Sequence, residues 1–254
     1  MVRLLSGLVL AAAAIAAILF LPTPALLAVA CVVAFLAASE YQGIVGASRG
    51  LHVAAAVACY IVGSLAFENY TFGVLLVVVG YAVAGSVLLR NESLERAAAT
   101  AFGLIYVGVP LGMLVLIHRL GGREAVLLML FTIVVSDSAQ YYTGRMFGRR
   151  PLAPAISPKK TIEGAIGGVV IGTAFVVFAG RLVFPMTRAP QLVVLGIVLV
   201  LLGIAGDLFE SRLKRTAGVK DSSALIPGHG GILDRIDALL FAIPAFYLFL
   251  VEVM

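Results

Sequence analysis

The chain has 254 residues, of which 62% are hydrophobic and only 12% charged, with a mean hydropathy of +1.11. Soluble domains carry about 25% charged residues, so this composition cannot cover a soluble surface. Disorder, a collagen-like repeat and a disulfide scaffold fall with it. The net charge of +5 reports membrane topology first, and no nucleic-acid partner is expected.

A spanning helix needs roughly 20 mostly apolar residues. In chain order the sequence offers nine such stretches, at 4–21, 25–39, 51–67, 71–89, 97–117, 124–142, 164–184, 191–211 and 233–251. The second is short, so an eight-span arrangement, with the first two stretches as a hairpin that does not fully cross, is the alternative. The first stretch has the Arg3 and Ala28-Val29-Ala30 flanks of a signal peptide. Its apolar core is too long for one, and a retained helix is expected. Cys31 and Cys59 lie inside apolar runs and are read as small buried hydrophobes.

These stretches predict an all-α polytopic membrane protein, because a helix satisfies its own backbone groups in lipid. Residues 1–254 form a single membrane domain. Within it, 1–120 carries N-terminal apolar spans, and 121–254 is a catalytic half with long loops at 143–163 and 212–232. With nine spans, Arg119, Arg123, Arg181 and Arg188 fall on one side and the other 14 of the 18 basic residues on the opposite side. The positive-inside rule then places the N-terminus and both long loops in the cytoplasm.

The acidic residues are not spread evenly. Asp137, Glu163, Asp207, Glu210, Asp221, Asp234 and Asp237 fall within or beside the later spans, where an ionisable group is costly and a functional candidate. On a continued helix Asp207, Glu210, Ser211 and Lys214 share a face, and Asp234 and Asp237 share another. Such carboxylates, converging at the cytoplasmic membrane surface, suit Mg²⁺ held together with substrate phosphates. Bland readings compete at several positions: Glu210 as a helix pair with Lys214, Asp221 as a turn residue, and Glu40 as an interfacial residue ending the second span.

Between these helices runs Lys220-Asp221-Ser222-Ser223-Ala224-Leu225-Ile226-Pro227-Gly228-His229-Gly230-Gly231. Its glycine amides suit a close anion, and Lys220 and His229 add charge or donors. The other loop reads Ser157-Pro158-Lys159-Lys160-Thr161-Ile162-Glu163-Gly164, with two lysines ahead of a helix N-terminus. Carboxylates, glycine amides and lysines on one membrane face are the equipment of phosphoryl or nucleotidyl transfer. A secondary transporter is the rival class. It accounts for buried aspartates but not for the Pro-Gly-His-Gly-Gly loop.

Residues 211–237, S-R-L-K-R-T-A-G-V-K-D-S-S-A-L-I-P-G-H-G-G-I-L-D-R-I-D, resemble the phosphatidate cytidylyltransferase (CDP-diacylglycerol synthase) pattern at every specified position. Asp137, Tyr141, Gly144, Arg145, Gly148 and the 157–164 segment extend the similarity. Gln140 and Ile162 depart from it, where the family often has a small residue and Trp.

The resemblance implies an enzyme that makes CDP-diacylglycerol and pyrophosphate from CTP and phosphatidic acid with Mg²⁺, in the bacterial cytoplasmic (inner) membrane, its active site facing the cytoplasm. It also implies a homodimer among membrane lipids and a second, monovalent cation such as K⁺. Catalytic roles then fall to Asp207, Lys214, Asp234 and Asp237, with the three aspartates at the metal. Ser157, Lys159, Lys160, Thr161, Ser211, Arg215, Lys220, His229, Gly230, Gly231 and Arg235 are the expected substrate contacts. Asp137, Glu163, Glu210 and Asp221 are weaker candidates.

Overall fold

A computed structural model of the chain describes residues 2–48, 50–64, 93–226 and 228–253. The described chain is almost wholly helical. Helices α1 (Val2–Phe20), α2 (Thr23–Val45) and α3 (Leu51–Ser64) come first. Helix α4 (Leu94–Gly103) then passes through a π-helical turn, Leu104–Gly108, into α5 (Val109–Phe147). A hairpin, β1 (Pro151–Ala153) and β2 (Ser157–Thr161), leads to α6 (Ile162–Val183), α7 (Ala189–Thr216) and α8 (Leu233–Val253).

Five helical runs among the described residues are long and apolar enough to cross a membrane: Thr23–Val45, Leu94–Phe147, Ile162–Val183, Ala189–Thr216 and Leu233–Val253. Ser6–Phe20 and Leu51–Ser64 are apolar but shorter. The chain is therefore an all-helical integral membrane protein. The fourth expected stretch, 71–89, lies outside the described residues.

One expectation changes in detail. The second span is not short: α2 runs for 23 residues, or about 35 Å at 1.5 Å per residue, enough to cross. Hydropathy lost it early because the helix continues through Ser39, Glu40, Tyr41 and Gln42, and Glu40 and Tyr41 are buried rather than solvated. It stops where Gly46 takes a left-handed conformation (φ 67°) and donates its N–H back to the Gln42 carbonyl. The fifth and sixth stretches fall in one 54-residue run, Leu94–Phe147. At 54 residues that is more than one crossing needs. Gly122, at φ 70°, breaks it where only glycine is unstrained.

The described residues group into two compact units: Met1–Leu120 with Ala217–Ile236, and Gly121–Thr216 with Asp237–Met254. Residues 217–236, however, group with the N-terminal helices rather than with the helices that flank them.

In the first unit, α2 packs on α3, and α3 on the π-helical turn. Glycines allow the closest approaches: a Cβ at Gly112 would lie 2.8 Å from the Cys59 carbonyl oxygen. Both cysteines are free; Cys59 is buried as expected, whereas Cys31 is only partly buried. In the second unit, α6 packs against α7, and Gly168 and Gly172 sit against Gln140 and Ser136 of α5. Phe184, Phe246 and Phe249 cluster in this unit.

Candidate active site

The second unit brings the first lysine–carboxylate group together. Helices α7 and α8 approach closely at Gly206, where an added Cβ would stand 3.1 Å from the Ala238 Cα. That contact sets Asp207 on one helix beside Asp237 on the other. Asp237 lies within electrostatic reach of Asp207, Lys214 and Asp137, and its Oδ1 accepts the Ala238 N–H at 2.8 Å. Ser211, one turn on from Asp207, donates its hydroxyl to Asp207 Oδ1 at 3.3 Å.

The hairpin supplies the cations. The antiparallel pairing of β1 and β2 joins Pro151 to Thr161 and Ala153 to Ser157, so the 157–161 segment is extended. The strands of this hairpin are too short, and too polar, to leave a periodicity in the sequence. Its end is also a helix start: the Thr161 hydroxyl accepts the Gly164 N–H at 3.1 Å, an N-cap for α6. Glu163 Oε2 accepts the Arg149 and Arg150 N–H groups at 3.0 and 3.2 Å. Glu163 thus ties the loop after α5 to the start of α6.

Alternation along β2 separates the two lysines. Lys160 is half-buried and forms an ion pair with Asp207, whereas Lys159 is exposed. Both line one cavity of about 390 Å³, together with Thr161, Asp137, Gln140, Tyr141, Arg145 and Asp207. Gln140 donates to Asp137 Oδ1 at 2.9 Å and so orients a second carboxylate in that cavity. Glu210 is buried and paired with Lys214, one helical turn away. Arg215 is exposed at the end of α7.

The first unit holds the glycine loop. Asp234, on the first turn of α8, accepts three bonds at Oδ2: from the Gly231 N–H (2.8 Å), the Ser222 N–H (2.9 Å) and the Ser222 hydroxyl (2.9 Å). Gly230 sits at φ 78°, and its carbonyl accepts the Ile226 N–H at 2.8 Å, which tightens the loop. Gly231 is buried, and a Cβ there would collide with Ser222 and Glu40. Lys220, Asp221, His229, Gly230 and Arg235 line a second, polar cavity of about 430 Å³. The His229 ring stands on Gly7 of α1, and its Nδ1 lies 2.9 Å from the Ser6 hydroxyl.

Glu40 is buried, not interfacial. It is 8% exposed and accepts hydrogen bonds from Ser222, Ser223, Ile232 and Leu233. It is a buried organiser of the loop, not an interfacial bystander. No local signal could have found partners more than 180 residues away; the only hint was a carboxylate inside an apolar run.

As for metal, the donors in the second unit are hard carboxylate oxygens on Asp137, Asp207 and Asp237, the type that suits Mg²⁺. Among the described residues, no three His, Cys, Asp or Glu side chains gather closely enough to enclose a metal ion by themselves. A cation here would need oxygens from a ligand as well.

The cytidylyltransferase family model matches residues 1–253, so the chain belongs to the cytidylyltransferase family. Among its relatives, a phosphatidate cytidylyltransferase of Haemophilus influenzae is 36% identical over 182 residues, covering 69% of this chain and 63% of that protein. A phosphatidate cytidylyltransferase of Thermotoga maritima is 40% identical over 164 residues, 62% of this chain and 60% of that protein. The uncharacterized protein YnbB of Escherichia coli (strain K12) is 34% identical over 228 residues, 86% of this chain and 76% of that protein. The matched region thus spans about three fifths of the length of the two phosphatidate cytidylyltransferases.

Proposed function

We propose that the chain transfers the cytidylyl group of CTP to phosphatidic acid, giving CDP-diacylglycerol and pyrophosphate for phospholipid synthesis. One arrangement carries the reading: Lys159, Lys160 and Thr161 line the same cavity as Asp137 and Asp207. Family membership and the names of the relatives support it.

The chemistry asks little of a general base. A phosphate monoester ionises a second time near pH 6, so phosphatidic acid is already a nucleophile at neutral pH. Its phosphate oxygen bonds to the α-phosphorus of CTP, and the bond from that phosphorus to the β-phosphate bridging oxygen breaks. The electron pair leaves with pyrophosphate. The obstacle is repulsion between two polyanions, which located cations remove while aligning the attack.

Lys160 and Lys159 serve as point charges for phosphate in the first cavity. Lys220, His229, Arg235 and the amides of Gly230 and Gly231 serve phosphate in the second. Ser157, Ser211 and Arg215 belong to the same substrate-binding set, and Lys214 is assigned to catalysis. Bound Mg²⁺ would neutralise phosphate charge and polarise the α-phosphate. We assign it to Asp207 and Asp237, and to Asp234 on the strength of the sequence pattern. Nine spans, a cytoplasmic N-terminus and a cytoplasm-facing site in the inner membrane complete the proposal. The homodimer and a second monovalent cation such as K⁺ rest on the family resemblance alone.

The test is purified protein with radiolabelled CTP, phosphatidic acid and Mg²⁺. Lipid-soluble label formed one-for-one with pyrophosphate is the expected result. No lipid-soluble label from a folded, detergent-stable protein would sink the proposal.

A further inference from the structure

We propose that Glu40 of α2 is a positioning residue for the reaction: its carboxylate holds the glycine loop and the first turn of α8 in the place where Asp234 and Arg235 act. The proposal rests on the cytidylyl-transfer reading for what the loop is used for, but not for the contact itself.

Both Glu40 oxygens are engaged in the same way. Oε1 accepts the Ser223 hydroxyl at 2.7 Å and the Ile232 N–H at 3.0 Å. Oε2 accepts the Ser222 hydroxyl at 2.8 Å and the Leu233 N–H at 2.8 Å. The N–H groups of Ile232 and Leu233 open α8, where the first helical amides have no partner within the helix. Glu40 supplies that partner from another helix, and it also grips the far end of the loop through Ser222 and Ser223. Its grip reaches Asp234 through one atom, because the Ser222 hydroxyl lies 2.8 Å from Glu40 Oε2 and 2.9 Å from Asp234 Oδ2. A hydroxyl has one proton to donate, so it serves the two carboxylates in turn and couples the position of one to the other. Gly231 is glycine because this junction leaves no room for a Cβ.

The arrangement needs a carboxylate, not only its shape. In Glu40→Gln the amide NH₂ must replace one of the two oxygens. Whichever way it turns, it faces a main-chain N–H, of Ile232 or of Leu233, and that group can only donate. A serine hydroxyl can rotate and accept; a backbone amide cannot. Glu40→Gln therefore breaks the clamp without changing its volume, and Ser223→Ala removes one of the four bonds while sparing the main-chain pair.

The experiment compares wild type, Glu40→Gln and Ser223→Ala in detergent, by amide hydrogen exchange and by steady-state kinetics with Mg²⁺ varied. In Glu40→Gln the amides of Ser222 and of 231–233 should exchange at least about 10-fold faster, with those of 165–180 unchanged. The kcat/KM for CTP should fall roughly 10- to 100-fold. The Mg²⁺ concentration for half-maximal rate should rise several-fold, because Asp234 is displaced. Ser223→Ala should lie between, and it carries the comparison if Glu40→Gln does not fold.

Unchanged exchange at 231–233 in folded Glu40→Gln would overturn the clamp. Faster exchange with wild-type kinetics and wild-type Mg²⁺ dependence would overturn the positioning role and leave a structural clip. If wild type itself forms no lipid-soluble label, the cytidylyl-transfer reading fails, and with it the positioning role. The exchange comparison, which needs no substrate, still decides whether Glu40 holds the loop.

Discussion

The two lysines of the Ser-Pro-Lys-Lys-Thr segment look equivalent in sequence and should differ in a test. Lys160 is paired with Asp207, and its side chain is 21% exposed against 33% for the carboxylate. Lys159 is exposed and makes no ion pair among the described residues, although it lines the same cavity.

Replacing Lys160 by Gln removes a charge-assisted bond and leaves Asp207 half-buried, with the Ser211 hydroxyl beside it. Bonds to charged groups contribute about 1.5–3 kcal/mol, which at about 1.4 kcal/mol per decade is a fall in kcat/KM of roughly 10- to 160-fold. An exposed charge is worth about 0.5–1 kcal/mol, so Lys159→Gln should cost only about two- to fivefold. Lys160→Arg should recover part of the loss, since a planar fork does not sit where a compact ammonium did. The assay is conversion of radiolabelled CTP into lipid-soluble product by purified variants, each substrate varied in turn. Equal effects at the two positions, or the larger effect at Lys159, would refute the assignment of the located charge to Lys160.

Three further outcomes are expected. Asp207→Asn and Asp237→Asn should each abolish turnover while the variants remain folded; near-wild-type activity in either removes that residue from the site. Thr161→Ala removes the N-cap of α6 and should cost about 1 kcal/mol of stability, seen as a lower Tm by thermal unfolding in detergent; an unchanged Tm means the cap contributes nothing there. Cysteines placed at 155 and 224 should react with a membrane-impermeant thiol reagent only from the cytoplasmic side, and one at 187 only from the other; the reverse pattern would invert the topology and deny CTP access.

The chemistry-bearing residues were legible because they are dense and local. Asp207 with Ser211, and Glu210 with Lys214, follow from helical spacing alone, and both pairs are present. The helix N-terminus expected just after the two lysines is present, with α6 starting at Ile162. What sequence could not supply was long-range. The Lys160–Asp207 pair joins a strand to a helix nearly 50 residues on. The hairpin itself is too short for any periodicity to report. The true length of α2 was hidden because burial makes Glu40 and Tyr41 compatible with an apolar helix, whereas hydropathy counts them as an end. The 217–236 segment was assigned by sequence to the catalytic half, since it joins α7 to α8, yet its packing partners are N-terminal.

The bonds from Glu40 to the glycine loop have a consequence for biosynthesis. Their partners stand 182 to 193 residues downstream. At 5–20 residues per second the ribosome takes roughly 10–40 s to deliver them. Throughout that time a carboxylate at the end of an apolar helix waits for its donors, and ionisable groups in that setting are costly. Until Ser222, Ser223, Ile232 and Leu233 are made, Glu40 lacks all four of these donors. Maturation of the glycine loop is bound to be a late event, and a chain cut short before residue 222 would leave Glu40 as a standing polar defect for membrane quality control to recognise.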